Sequence, residues 1–209
     1  MGIVKVSITY IQNNYPEVSI TECNSNIIFE GHFVIEARHG DFEIHIAPRL
    51  RIQFPKNYPK ELPVTFDIDN RITYDHKYTD GSLCLATEID MFSDLHSSKC
   101  IGDYIEGFLI PYFISYEYWK KTGTDIFGDR AHGRQGIFET LRDFLEMPTA
   151  TDKELYFLLT WAAKIQNIKW LDKSTQKELS KKYSGKIIRL RTLGIPFLRK
   201  QVQMLSVPL

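Results

Sequence analysis

Gly81-Ser82-Leu83-Cys84-Leu85, preceded by Phe54-Pro55-Lys56-Asn57-Tyr58-Pro59 and Pro63, is the stretch that decides how this chain reads. Side chains of an extended segment alternate between two faces. If Leu83 and Leu85 turn toward a core, Cys84 turns toward solvent just past a glycine turn, where a reactive thiol has to be. Free cysteine is more often a small buried hydrophobe, so the pentapeptide alone does not make Cys84 a nucleophile. Around it stand a proline-rich exit, an extended stretch, and His76 eight positions before the cysteine.

Upstream, Ile27-Ile28-Phe29 and Phe33-Val34-Ile35 predict a strand from Asn26 to Glu36, and His39-Gly40-Asp41 a hairpin turn. Phe42, Ile44 and Ile46, then Leu50, Ile52 and Phe54, alternate as a second long strand. Pro48 removes a ladder donor there and implies an edge or a bulge. Val64 to Ile68 reads as a third strand, completing an antiparallel meander. A short helix is expected ahead of the turn Asn13-Asn14-Tyr15-Pro16. Residues 69 to 97 show no sustained period, and so long a loop in a compact domain is usually functional. A helix is expected from Ser97 or Ser98 through Ile101, Tyr104, Ile105 and Phe108, ended or kinked by Pro111. Gly136 to Met147 is amphipathic, with Ile137, Phe138, Leu141, Phe144 and Leu145 on one face.

Pro148-Thr149-Ala150 reads as a boundary, so the chain divides into residues 1–147 and a mainly helical extension, 151–209. Thr151 with Glu154, and Thr175 with Glu178, are capping boxes that open two further helices. Ser184-Gly185 is expected to stop the second with a left-handed cap. Residues 186 to 200 are basic and mixed, with no assignable period.

The 209 residues carry 26 Lys and Arg against 26 Asp and Glu, yet the zero net charge conceals two opposed halves. Residues 150–209 hold 12 basic against 4 acidic side chains, which is +8, and residues 1–149 hold 14 against 22, which is −8. Such asymmetry marks a tail with its own partner, or one that docks on its own acidic domain. No apolar run approaches the roughly 18 residues of a membrane span, and the N-terminus lacks a signal-peptide layout, so a soluble cytoplasmic protein is expected. Three cysteines, at 23, 84 and 100, have no framework spacing, which argues against a secreted disulfide fold. His76, Cys84, His96 and Cys100 can be written as a zinc set, but the spacing lacks a C-x-x-C knuckle. No phosphate-binding glycine loop is present, so the chain has no recognisable nucleotide site of its own.

The order and spacing of F-P-x-x-Y-P-x-x-x-P, the histidine and G-S-L-C-L resemble the active-site half of ubiquitin-conjugating enzymes, over roughly residues 27 to 120. In those enzymes an H-P-N tripeptide precedes G-x-I-C-L, whose cysteine forms a thioester. Here the matching stretch is Tyr74-Asp75-His76, so His76 occupies the asparagine position. Gly128-Asp129-Arg130-Ala131-His132-Gly133 is similar to the G-E-R-x-H-G stretch of bacterial members. The resemblance implies an α+β fold, a UBC-like antiparallel meander sheet packed on helices, with the helical extension added.

It also implies acyl transfer through a Cys84 thioester. His76 would donate to the oxyanion, act as a base, or pack the loop. His132 would approach the cysteine from the far side or hydrogen-bond a turn. Asp80 could orient an attacking lysine, although Asp-Gly is first a turn dipeptide. In bacteria the resemblance points to anti-phage operons. The donor of the C-terminus would be a cyclic-oligonucleotide synthase (CD-NTase) of a CBASS system or a ubiquitin-like protein, charged by a separate activating enzyme or already activated, with no cofactor. An inactive binding module is the competing class. Nucleic-acid binding through the basic residues 164–200 ranks below both, because a solvated helix face explains those lysines as well.

Overall fold

The computed structural model describes residues 2–98, 100–128, 133–165, 168 and 170–206. The chain forms two compact units, residues 1–129 and 130–209. The first is α+β. It opens with α1 (Ile3–Asn14), followed by β1 (Ser19–Glu22), β2 (Asn26–His32), β3 (Ile35–His39), β4 (Phe42–Ile46), β5 (Arg49–Pro55) and β6 (Val64–Asp67). The helices α2 (Glu88–Leu95), α3 (Ile101–Tyr104) and α4 (Ile110–Thr122) complete it.

Strands run β1-β2-β5-β6 in one antiparallel sheet, and β3-β4 form a separate ribbon. Alternation explains the main sheet. Ile27 pairs with Phe54 and Phe29 with Ile52, and all four side chains are buried on one face. The two long strands expected from the sequence are thus each divided in two. The break falls at Phe33-Val34 on one side and Ala47-Pro48 on the other, where Phe33 N–H donates to the Pro48 carbonyl at 3.0 Å. Pro48 occupies a link that needs no ladder donor. Beside this bend, Gly31 lies close under the preceding loop: a Cβ there would come within 3.0 Å of Val18 Cα.

The buried face of the sheet is covered by α3 and α4, which are joined through a π-helical turn, Ile105–Leu109. Ile101, Tyr104, Ile105 and Leu109 pack into one core with Ile27, Phe29, Ile52 and Phe54. Inside it, the Thr65 and Tyr104 hydroxyls are 2.9 Å apart. Pro111 does not end this helix. It sits in the first turn of α4, where a proline is tolerated because its missing N–H would lack a helical partner, and the widened turn ahead supplies that start. The helix begins at Ile101, later than expected, and its first free N–H is capped from outside: Ile101 N donates to Ser7 Oγ of α1 at 3.0 Å.

The second unit is helical: α5 (Gly133–Leu145), α6 (Asp152–Ala162), α7 (Lys173–Lys182), α8 (Ser184–Arg191) and α9 (Ile195–Ser206). Its centre is α6, whose Leu155, Phe157, Leu158, Leu159 and Ala162 are all buried between α8 and α9. The Thr151–Glu154 capping box is formed in both directions. The second box is not. Asp172 caps α7, accepting from Thr175 N at 2.9 Å, so the helix starts two residues before Thr175. Nor does Ser184-Gly185 act as a stop: α8 begins there, and the left-handed glycine is Gly194, at φ 85°, between α8 and α9. The compact units divide after Asp129, so α5, which the sequence groups with residues 1–147, packs with α6 and α8 instead. No described helix is long and apolar enough to cross a membrane.

Candidate functional site

Residues 76–84 fold back on themselves against the edge of β6. Tyr78 N donates to Ser82 O at 2.8 Å, Gly81 N to Tyr78 O at 3.0 Å, and Cys84 N to His76 O at 2.9 Å. Lys77 and Leu83 form the bridge between the two arms. The tip is held by Asp80, whose Oδ1 accepts from Ser82 N at 2.9 Å and Ser82 Oγ at 2.6 Å, while Gly81 supplies a φ of 86°. These same bonds hold the Asp80 carboxyl below its ordinary range. Asp80 is therefore a turn residue here. Bridges Phe66 to Ser82, together with Leu83 N to Thr65 O at 2.8 Å, tie the arm carrying Cys84 to the sheet.

This register sorts the side chains. Leu83 is buried, and Lys77 opposite it turns the same way, inward. His76, Tyr78 and Cys84 then share the other face by alternation, with His76 and Cys84 directly across the hairpin. Opposed pairs in such a ladder bring their Cβ atoms about 4.5–5.5 Å apart. Cys84 is half-buried rather than fully turned to solvent. Burial pushes its thiol above the ordinary cysteine range, an effect offset in part by hydrogen bonding from the Tyr78 phenol. Tyr78 itself is half-exposed, and burial followed by its contact with Cys84 raises its phenol.

The floor of the site is aromatic. The Tyr74 ring packs on His76 at 4.7 Å, and on Tyr112, Tyr116 and Trp119 at 5.3–5.7 Å. The Tyr74 hydroxyl reaches Ser115 Oγ at 3.1 Å, and Ser115 donates to Asp125 at 3.0 Å. Tyr112 OH donates to the His76 carbonyl at 3.2 Å, so helix α4 braces the strand that carries the histidine. Burial raises the Tyr112 phenol, keeping it a donor.

Of the residues proposed from sequence, the structure brings His76 and Cys84 together; His132 lies outside the described residues. His96 and Cys100 sit elsewhere in the chain's course, as the C-terminal cap of α2 and the N-terminal cap of α3. Among the described residues no group of three or more His, Cys, Asp or Glu side chains could hold a metal ion. Helix α2, capped by Thr87, interrupts what the sequence presents as one loop from 69 to 97. Tyr78 was missed as a neighbour of the thiol. The signal for it was the two-residue alternation from Tyr74 through His76, with the Asp80-Gly81 turn fixing which residues face each other.

A four-stranded antiparallel sheet covered by helices, with a cysteine on a hairpin at its edge, defines a ubiquitin-conjugating-like α+β protein. A family model described as Type II CBASS E2 protein matches residues 7–132, more than half of the chain. The chain belongs to that family, as a bacterial E2-like protein of an anti-phage operon. Searches of curated proteins and of solved structures returned no match.

Proposed function

We propose that the chain is an acyl carrier that holds the C-terminus of a partner protein as a thioester on Cys84 and passes it to an amine or thiol. The thiolate attacks the activated carboxyl carbon, a C–S bond forms, and the donor's leaving group departs. In the second step the acceptor attacks, the C–S bond breaks, and the Cys84 sulfur leaves as thiolate and takes up a proton. The observation that carries the reading is the placement of Cys84 across a braced hairpin from His76. Both steps pass through a tetrahedral oxyanion, for which the His76 ring N–H is a donor; histidine as a base on the incoming group is the alternative role.

Burial of Cys84 has two consequences. The thiol stays protonated at neutral pH, so it is quiet toward casual electrophiles until a docked donor or base deprotonates it. A thiol of raised pKa also makes a poorer leaving group, so the thioester discharges slowly and behaves as a carrier. The donor we favour is the cyclic-oligonucleotide synthase of the same CBASS operon, in the cytoplasm, activated by a separate enzyme. A ubiquitin-like protein would use the same chemistry. The basic second unit fits an acidic surface on such a partner. For His132 the sequence offers two roles, an approach to the cysteine from the far side or a hydrogen bond to a turn.

Mixing the chain with its operon partners should give a higher-mass band on a non-reducing gel that thiol removes. Cys84→Ser should convert it to a thiol-resistant ester or abolish it. An adduct that survives Cys84→Ala but not Cys23→Ala or Cys100→Ala assigns another nucleophile, and full biological activity of Cys84→Ala makes the chain a binding module.

A further inference from the structure

On the inner face of the site hairpin, Lys77 does something a core-facing position rarely requires. Its side chain is largely buried, 12% exposed, against an Asp67 side chain that is 4% exposed. Nζ donates to Asp67 Oδ2 at 3.0 Å, Asn70 Oδ1 at 2.6 Å and the Ile72 carbonyl at 3.4 Å. An ammonium has three N–H donors, and these three oxygens take them all. The cage is itself built for the purpose. Asp67 ends β6, its Oδ2 also accepts from Ile72 N at 2.8 Å, and Asn70 adopts a left-handed backbone, φ 52°, to close the loop. Neither Lys77 nor Asp67 touches the reacting face, which carries Cys84 and His76.

A buried ion pair gains little stability over well-packed apolar side chains of similar size, because both charges lose their hydration. What it does impose is geometry. An apolar residue at 77 could slide along the core, whereas an ammonium chelated by three oxygens cannot. Lys77 lies between His76 and Tyr78 and bridges to Leu83, next to Cys84. A slip of the 76–78 arm would therefore move the histidine relative to the sulfur.

We infer that Lys77 is a positioning residue: locked into the Asp67–Asn70–Ile72 cage, it sets the register of the hairpin and so the placement of His76 and Tyr78 over the Cys84 thiol. The inference rests on the acyl-transfer reading for its catalytic consequence, but its geometric content does not. A misplacement of about 1 Å commonly costs on the order of a hundredfold in rate.

The test uses the full chain and a synthetic peptide thioester as acyl donor, read by single-turnover loading of Cys84. The double variant Lys77→Met/Asp67→Asn removes both charges while keeping an acceptor for Ile72 N–H. We expect a thermal midpoint near that of the wild type, a maximal loading rate lower by about a hundredfold, and an unchanged donor concentration at half-maximal rate. Amide hydrogen exchange at Cys84, whose N–H is bonded to His76 O, should accelerate. A purely structural role predicts wild-type loading in this stable double variant, and that result, or unchanged exchange at Cys84, overturns the inference. Should the double variant not fold, Lys77→Arg is read in the same way, since its larger guanidinium cannot fill the cage. Wild-type protein that fails to load refutes the acyl-transfer reading instead, and the exchange measurement still judges the anchor.

Discussion

Raising the pH past neutrality probes the Cys84 environment most simply. A thiol of ordinary pKa, about 8.5, is only a few per cent thiolate at pH 7. Burial pushes Cys84 higher, so its thiolate fraction at pH 7 is smaller still. Alkylation of Cys84 by iodoacetamide, followed by peptide mass spectrometry, should be slower at pH 7 than that of N-acetylcysteine under the same conditions. The rate should still be rising at pH 9, where that of the free thiol levels off. Tyr78→Phe removes the phenol that hydrogen-bonds the sulfur and stabilises its charged form. An exposed hydrogen bond of this kind is worth about 0.5–1.5 kcal/mol, so the variant should alkylate about two- to tenfold more slowly at pH 8. Stability has a definite sign as well. A thiol whose pKa is raised on folding contributes its full stabilisation below the unfolded value and loses it as pH climbs through the folded one, so the urea midpoint should fall above about pH 8.5. Alkylation at pH 7 as fast as that of the free thiol, or faster alkylation in Tyr78→Phe, refutes the reasoning.

His76→Ala should slow thioester discharge by about 10² to 10³ while leaving the partner concentration at half-maximal rate unchanged, because an oxyanion donor acts mainly in the transition state. Equal discharge rates in a folded variant would leave the histidine only its packing against Tyr74. Gly102→Ala tests the docking of α1 on α3: an added Cβ would lie 2.6 Å from Tyr10 Cε2 and force the ring off its hydrogen bond to Glu106. Urea denaturation should show a loss of about 1–3 kcal/mol; wild-type stability would mean that α1 moves aside freely.

The parts of the fold that sequence reveals are those where local pattern and tertiary role coincide. Ile27, Phe29, Ile52 and Phe54 alternate because one face of the sheet is buried, and Thr151 with Glu154 forms the capping box that its spacing announces. Strand β1 is hidden because its four residues are mostly exposed and show no alternation. Helix α2 is hidden because only Ile89 and Leu95 are buried, too few for a visible period. The division of the long strands depends on a pairing between Phe33 and Pro48, fifteen residues apart, which no local window contains. At the site, Cys84 and His76 were named by the family resemblance and stand opposite each other across the hairpin, whereas nothing in the sequence pointed to the Lys77 cage. A lysine in a polar loop reads as solvated, and only the return of the chain at Asp67, Asn70 and Ile72 buries it.

The central claim is tested most directly by intact-mass analysis of the full chain after incubation with the proposed donor, a CBASS cyclic-oligonucleotide synthase, and an activating enzyme. The account expects one adduct whose mass is the sum of the two proteins less one water, mapped by digestion to Cys84, released by hydroxylamine at neutral pH and absent in Cys84→Ala. An unmodified chain under conditions where the activating enzyme is itself charged with the synthase, or an adduct mapped to a residue other than Cys84, would contradict it.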